Sequence, residues 1–272
     1  MIENTIEMKH YRKPYFEKRE NGGKNIKIHK LDRKTFIPDI YIPLNYRLDC
    51  LRFAHDTVYG ELNKSNKSFD EKFERTKHQR LIDTFQGKLS ECAEYIYFIG
   101  HGLECSAPDM RVFCGHENLD GEIRRAITNI KKNTKGSKHY SQIVLLERKK
   151  LNENGFYIFG DKPPIKYDIT VFCRIAIEND KDEYEELDNY LKGINKNNLE
   201  EYISVFSKKR IAAEISGILT QEMLDSIIKN GDEMVLNPKD DLYLGIKLIA
   251  ENYFCLLKDL KNKDEWILEL KK

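Results

Sequence analysis

A chain of 272 residues, 40% hydrophobic and 33% charged, carries enough apolar material for a substantial core and too much for a disordered segment. No run approaches the ~20 consecutive apolar residues that a membrane span needs, and the opening MIENTIEMKHYRK lacks the apolar stretch of a signal peptide, so a cytoplasmic protein is expected. A formal net charge of +1 excludes little, because acidic metal ligands and a basic nucleic-acid surface in one protein also sum to nearly zero.

Residues 1–35 read as a basic N-terminal arm, flexible or partly ordered, with Gly22-Gly23 and little periodicity. Residues 36–272 read as a single domain with a core at about 80–178 and a C-terminal region at 179–272. Leu48, Leu51, Phe53, Ala54, Val58 and Leu62 predict a helix over 46–62, followed by a polar link. The clearest helix spans 80–100, where Leu81, Phe85, Leu89, Ala93 and Ile96 mark one face and Thr84, Lys88, Glu91 and Tyr95 share another. Short β-prone runs separated by Gly, Pro and Asn follow at 110–114, 122–131, 143–147, 156–159 and 167–177. The acidic segment after Glu178 is expected to be helical, with Tyr184, Leu187, Tyr190 and Leu191 as its stripe. A helix at 221–229 and the turn Asn230-Gly231-Asp232 come next, and ENYFCLLKDLKNKDEWI closes the chain without a clear type. A helix, several strands, a helix and a mixed tail predict an α/β (α+β) fold with a mixed central β-sheet flanked by helices.

Charge is unevenly distributed. Between Asp120 and Lys150 nine basic residues (Arg124, Arg125, Lys131, Lys132, Lys135, Lys138, Arg148, Lys149, Lys150) face three acids, Asp120, Glu122 and Glu147. Between Asp180 and Glu201 eight carboxylates outnumber three lysines. The basic stretch suits a phosphate backbone and equally suits a solvated surface. Six scattered cysteines show no C-x-x-C pair and no zinc-type Cys/His spacing, so buried, reduced thiols are expected. No P-loop and no dinucleotide fingerprint occurs.

Phosphodiester hydrolysis needs a divalent cation held by carboxylates, an activated water and a cation near the developing negative charge. The segment 108–131 offers these groups in a compact order: Pro108-Asp109, then Asp120 and Glu122 at strand spacing, then Asn129-Ile130-Lys131. The bland alternative makes Asp120 and Glu122 ordinary turn and edge-strand acids and Lys131 the start of a solvated loop. Glu147-Arg148-Lys149, after the apolar run IVLL, spells Glu-x-Lys directly and is a competing placement with Asp109 or Asp120 upstream.

The succession TFQGKLSECAEYIYF, ECSAPDMRVF, NLDGEI, ITNIKKN, IVLLERKK and YDITVFCRIAI resembles a family of type II restriction endonucleases with the PD-(D/E)XK nuclease core, across roughly residues 36–266. The resemblance implies a restriction-endonuclease-like core and a Mg²⁺-dependent, site-specific hydrolase of double-stranded DNA. It implies Asp120 as the principal metal ligand, Glu122 as a second, Glu91 as the helix-borne acid and Lys131 as the active-site lysine. The position two before the lysine is Asn129, where the family pattern has Asp or Glu. The Asn129 amide oxygen can bind Mg²⁺ but brings no charge, so Glu122, Glu91 or the Ile130 carbonyl would have to complete the metal site. Arg124, Arg125, Lys132, Lys135 and Lys138 are the expected DNA contacts. A homodimer matching a palindromic site is expected, with a cognate DNA methyltransferase acting on the same sequence. Asn129 keeps open a second reading, a catalytically inactive DNA-binding protein on the same fold.

Overall fold

The computed structural model describes residues 15–21, 24–30, 34–60, 76–110, 126–158, 163–230, 235–238, 248 and 250–272. Its architecture is mixed α/β. The first two strands, β1 (Tyr15–Asn21) and β2 (Lys24–Lys30), pair antiparallel with each other as a β-ribbon within the arm. The central sheet has the order β3 (Ile40–Tyr41), β9 (Arg210–Thr220), β7 (Ile169–Glu178), β5 (Ile130–Lys138), β4 (Ala126–Ile127), with the short β8 (Tyr184–Glu185) on the end of β7. Only β5 and β7 run parallel; the other pairings are antiparallel. A separate antiparallel sheet joins β10 (Val235–Leu236), β11 (Asn252–Leu256) and β6 (Ile143–Glu147).

The helices α1 (Leu44–Tyr59), α2 (Lys77–Gly100), α3 (Leu199–Lys208) and α5 (Lys263–Leu270) supply the core on one side of the central sheet, and α4 (Gln221–Lys229) packs with the small sheet on the other. The sheet is therefore buried on both faces. This explains the near-continuous apolar sequence of β7, where Val171, Cys173 and Ile175 join one core and Phe172 the other.

Helix α2 starts at a capping box: the Thr76 hydroxyl accepts from the Gln79 backbone N–H, and the Gln79 side chain accepts from the Thr76 N–H. Its buried stripe, Leu81, Phe85, Leu89, Cys92 and Ala93, lies against the sheet and α1. A glycine sets how near the helix comes. A Cβ on Gly136 of β5 would lie 2.3 Å from Ser90 Oγ and 2.9 Å from the Gln86 carbonyl oxygen.

The expected helices at 46–62, 80–100 and 221–229 are present with small changes of boundary. Other expectations fail, among them the run at 156–159, where no strand forms among the described residues and Tyr157 makes only isolated bridges to Leu151 and Ile165. The acidic segment after Glu178 is not helical: Asn179 accepts from the Lys181 and Glu183 N–H groups, Asp182 sits at φ 57°, and the chain turns back as β8 and a 3-10 turn, Leu187–Tyr190. Local Asn and Asp bonds outcompete a helix whose interior would crowd like charges. Residue 131 also does not end a strand, because β5 begins at Ile130 and continues through the basic run to Lys138. Among the described cysteines, Cys50, Cys92, Cys173 and Cys255 are buried and Cys105 is half-buried, all of them free. Among the described residues no helix is long and apolar enough to cross a membrane.

Candidate functional site

The short strands β4 and β5 form a hairpin in which Ile127 opposes Ile130 and Ala126 opposes Lys131. Two residues, Thr128 and Asn129, make the turn. Thr128 adopts φ 56°, a left-handed conformation that a β-branched side chain rarely takes, and its N–H donates to the Glu104 carbonyl at 2.7 Å. Strain of this kind costs of order 1–3 kcal/mol and persists where the surroundings impose it. The turn exposes Asn129, and Lys131 is exposed at the start of β5.

Asp168, just before β7, accepts the Lys131 N–H at 2.7 Å through its carboxylate, while its own N–H donates to the Lys131 carbonyl at 2.9 Å. Asp168 is exposed and was not expected at the site. It opens the apolar run YDITVFCRIAI, at a strand start beside the lysine strand, but nothing in that run marks its contact with Lys131. Residues 103–105 reach the same end of the sheet, because Cys105 bridges to Ile127.

Strand alternation divides the basic residues of β5 between two faces. Lys132 and Thr134 turn towards α2, where both meet Glu94. The Lys132 ammonium lies 3.0 Å from a Glu94 oxygen, with relative exposures of 4% and 0% for the two residues, and the Thr134 hydroxyl donates to the other oxygen. Burial drives the Glu94 carboxyl above its ordinary range. Burial lowers Lys132, but the adjacent Glu94 carboxylate and Cys105 outweigh it and raise the ammonium above the usual lysine value. Lys132 is thus a core ion-pair partner, which corrects its assignment as a DNA contact. The helix acid that reaches the sheet is Glu94, one turn beyond Glu91; Glu91 pairs with Lys88 at 2.7 Å.

Lys131, Asn133 and Lys135 fall on the opposite face. There, Asn133 and Lys135 line a cleft of about 340 Å³ closed by β6, the 3-10 turn Arg148–Lys150, Tyr157 and Asn252. Glu147 sits at its edge, 2.8 Å from Lys149 and 2.9 Å from Lys150. Burial would raise its carboxyl, yet the hydrogen bonds from Lys149 and Lys150 hold it below the usual value. The Lys149 side chain is 63% exposed. Lys138 leaves the row to bind Glu186 and, at 3.0 Å, Asp188, which hold its ammonium well above the ordinary value against the opposing effect of burial.

Asp120, Glu122, Arg124 and Arg125 lie outside the described residues; Asp109 is described and half-buried. Among the described residues no three His, Cys, Asp or Glu side chains converge to hold a metal ion. The charged ligands of the expected metal set, Asp120 and Glu122, lie outside the described residues. Compared with protein-family models, curated proteins and solved structures, the chain matches none.

Proposed function

We propose that this protein is a Mg²⁺-dependent, site-specific endonuclease of double-stranded DNA, with a restriction-endonuclease-like core, acting as a homodimer. The observation that carries the reading is the strained two-residue turn that exposes Asn129, with exposed Lys131 beside the Asp168 carboxylate, where β5 begins. Strain is stored at working sites more often than elsewhere. Asp120 and Glu122, with Asn129 and the Ile130 carbonyl, would hold the metal, which supplies Lewis acidity when bound.

The remaining chemistry belongs to the chain's own groups. The Lys131 ammonium orients the attacking water and offsets charge growing on the scissile phosphate. Asp168 fixes the backbone from which that lysine projects, because it grips the residue 131 peptide on both its N–H and carbonyl sides. The basic face of β5 and the turn at 148–150 attract the duplex backbone.

Incubating supercoiled plasmid with the protein and Mg²⁺ should give discrete fragments. Asp120→Ala should abolish cleavage while DNA binding in Ca²⁺ persists, since phosphate contacts survive the loss of a metal ligand. Asn129, neutral where an acid is expected, supports a second reading: a DNA-binding protein without activity, for which wild type shifts the plasmid band and never cuts it. Cleavage by Asp120→Ala at the wild-type rate would remove Asp120 from the site.

A further inference from the structure

The cleft on the second face of β5, to which the nuclease reading gives only a general attraction for the duplex backbone, has a more specific charge pattern. Lys135 projects into it and contacts the Leu145 carbonyl at 3.4 Å; among the described residues it forms no ion pair. Among the described residues the carboxylate on the cleft wall is Glu147, which is taken up by Lys149 and Lys150, one on each oxygen. The wall also carries Asn133 and Asn252. Two ammonium groups and two amides thus surround a concave space whose single negative charge is already shared.

We propose that this cleft is a phosphate-binding site, in which Lys135 and Lys150 hold the oxyanion and Asn133 and Asn252 complete its hydrogen bonds. A half-buried ammonium without an ion pair among the described residues is costly: burial first, and the Lys150 charge second, pull Lys135 down to about 8 against the opposing charge of Glu147. A bound dianion removes the reason for the depression. The volume, about 340 Å³, is at the small end of ligand sites and suits a phosphate with part of its ester chain. The titratable groups facing Lys135 in the cleft are Lys150, Glu147 and Tyr157.

The phosphate could belong to the DNA backbone or to a free phosphate or nucleotide, and only the first source rests on the nuclease reading. The test titrates the full-length protein with inorganic phosphate while following the lysine ammonium resonances by NMR. Saturable binding should raise the Lys135 midpoint by about one unit or more, the size of effect an opposite charge at contact distance produces. Lys135→Ala should abolish saturable binding, Lys150→Ala should weaken it several-fold, and Glu147→Gln should strengthen it by freeing Lys150. Lys150 lies at the rim, so its variant keeps the test informative should Lys135→Ala fail to fold. Absence of a saturable shift, or phosphate binding that survives both lysine variants, would overturn the proposal.

A second arm identifies the source. If the site takes DNA, Lys135→Ala lowers the slope of log K against log salt for duplex binding by about one. Phosphate binding with an unchanged slope assigns the site to a free phosphate or nucleotide. A wild type that never cuts the plasmid would overturn the nuclease reading and leave the phosphate titration unaffected, so the two proposals fail separately.

Discussion

At the scale of single residues, three of the four lysines of β5 have different fates. Lys131 is exposed at the strand start, Lys132 is sealed against Glu94, and Lys135 is held in a cleft. Lys131→Ala should lower the cleavage rate by ~10²-fold or more at near-native DNA affinity, and Lys149→Ala should be mild, because a group acting on the nucleophile or the transition-state charge contributes to rate more than to binding. Single-turnover cleavage and a binding isotherm on both variants check this; loss of cleavage in Lys149→Ala alone would move the site to Glu147 and Lys149. Lys132→Ala tests a different property. Removing one partner of a buried pair leaves an uncompensated charge and costs about 3–5 kcal/mol. Glu94 can escape that cost by taking up a proton, since burial already raises its pKa. The folded variant then holds more protons than the unfolded chain over the interval above the ordinary glutamate value, so its stability falls as pH rises. Urea unfolding at about pH 5 and about pH 8 should show the larger deficit at the higher pH. Equal deficits at both would mean that Glu94 keeps its charge.

At the scale of elements, the spacing between α2 and β5 decides where Glu94 and the turn at 128–129 sit. Gly136→Ala places a methyl against Ser90 Oγ and the Gln86 carbonyl, atoms of a long and well-packed helix. The expected cost is about 1–3 kcal/mol, measured as a lower urea midpoint with an unchanged m-value. A neutral result would show that the helix gives way. Helices α1, α2 and α4 were legible in the sequence because each carries an apolar stripe, whereas α3 was not expected and α5 lies in a closing stretch without a clear type. Strand β7 was legible as a short apolar run. The register of β5 was not, because NIKKNTKGSK has almost no apolar alternation; its place beside β7 comes from partners far away, Glu94 on one face and the cleft on the other. For the same reason the sequence grouped Lys132, Lys135 and Lys138 as one basic patch. Charge counts do not reveal which side of a strand a residue occupies. Asp168 was missed because its role is a backbone contact across a parallel pair, which no local spacing encodes.

At the scale of the whole molecule, the centre of the sheet is held by a buried guanidinium. Arg174 on β7 has no exposed surface; it donates to the carbonyls of Lys34, Thr35, His139 and Ser141 and pairs with Glu214 on β9. The domain is accordingly tied in from Lys34, just ahead of the expected boundary at residue 36. Deleting residues 1–33 should shift the urea midpoint little, whereas deleting 1–42 should be severely destabilising, because Arg174 loses two acceptors at about 1–3 kcal/mol each and the Ile42 contact with the core goes with them. Comparable midpoints for the two truncations would refute that role. The pairing of β3 with β9 also constrains the order of events during synthesis. The segment 34–42 leaves the ribosome early, yet its strand partner and the arginine that needs its carbonyls are encoded much later. It must wait, unpaired and with Ile42 uncovered, until the last third of the chain has emerged. Closing so long a loop makes this edge of the sheet a late and slow contact in folding, and the interval before it closes is when the nascent chain is most open to association with other copies.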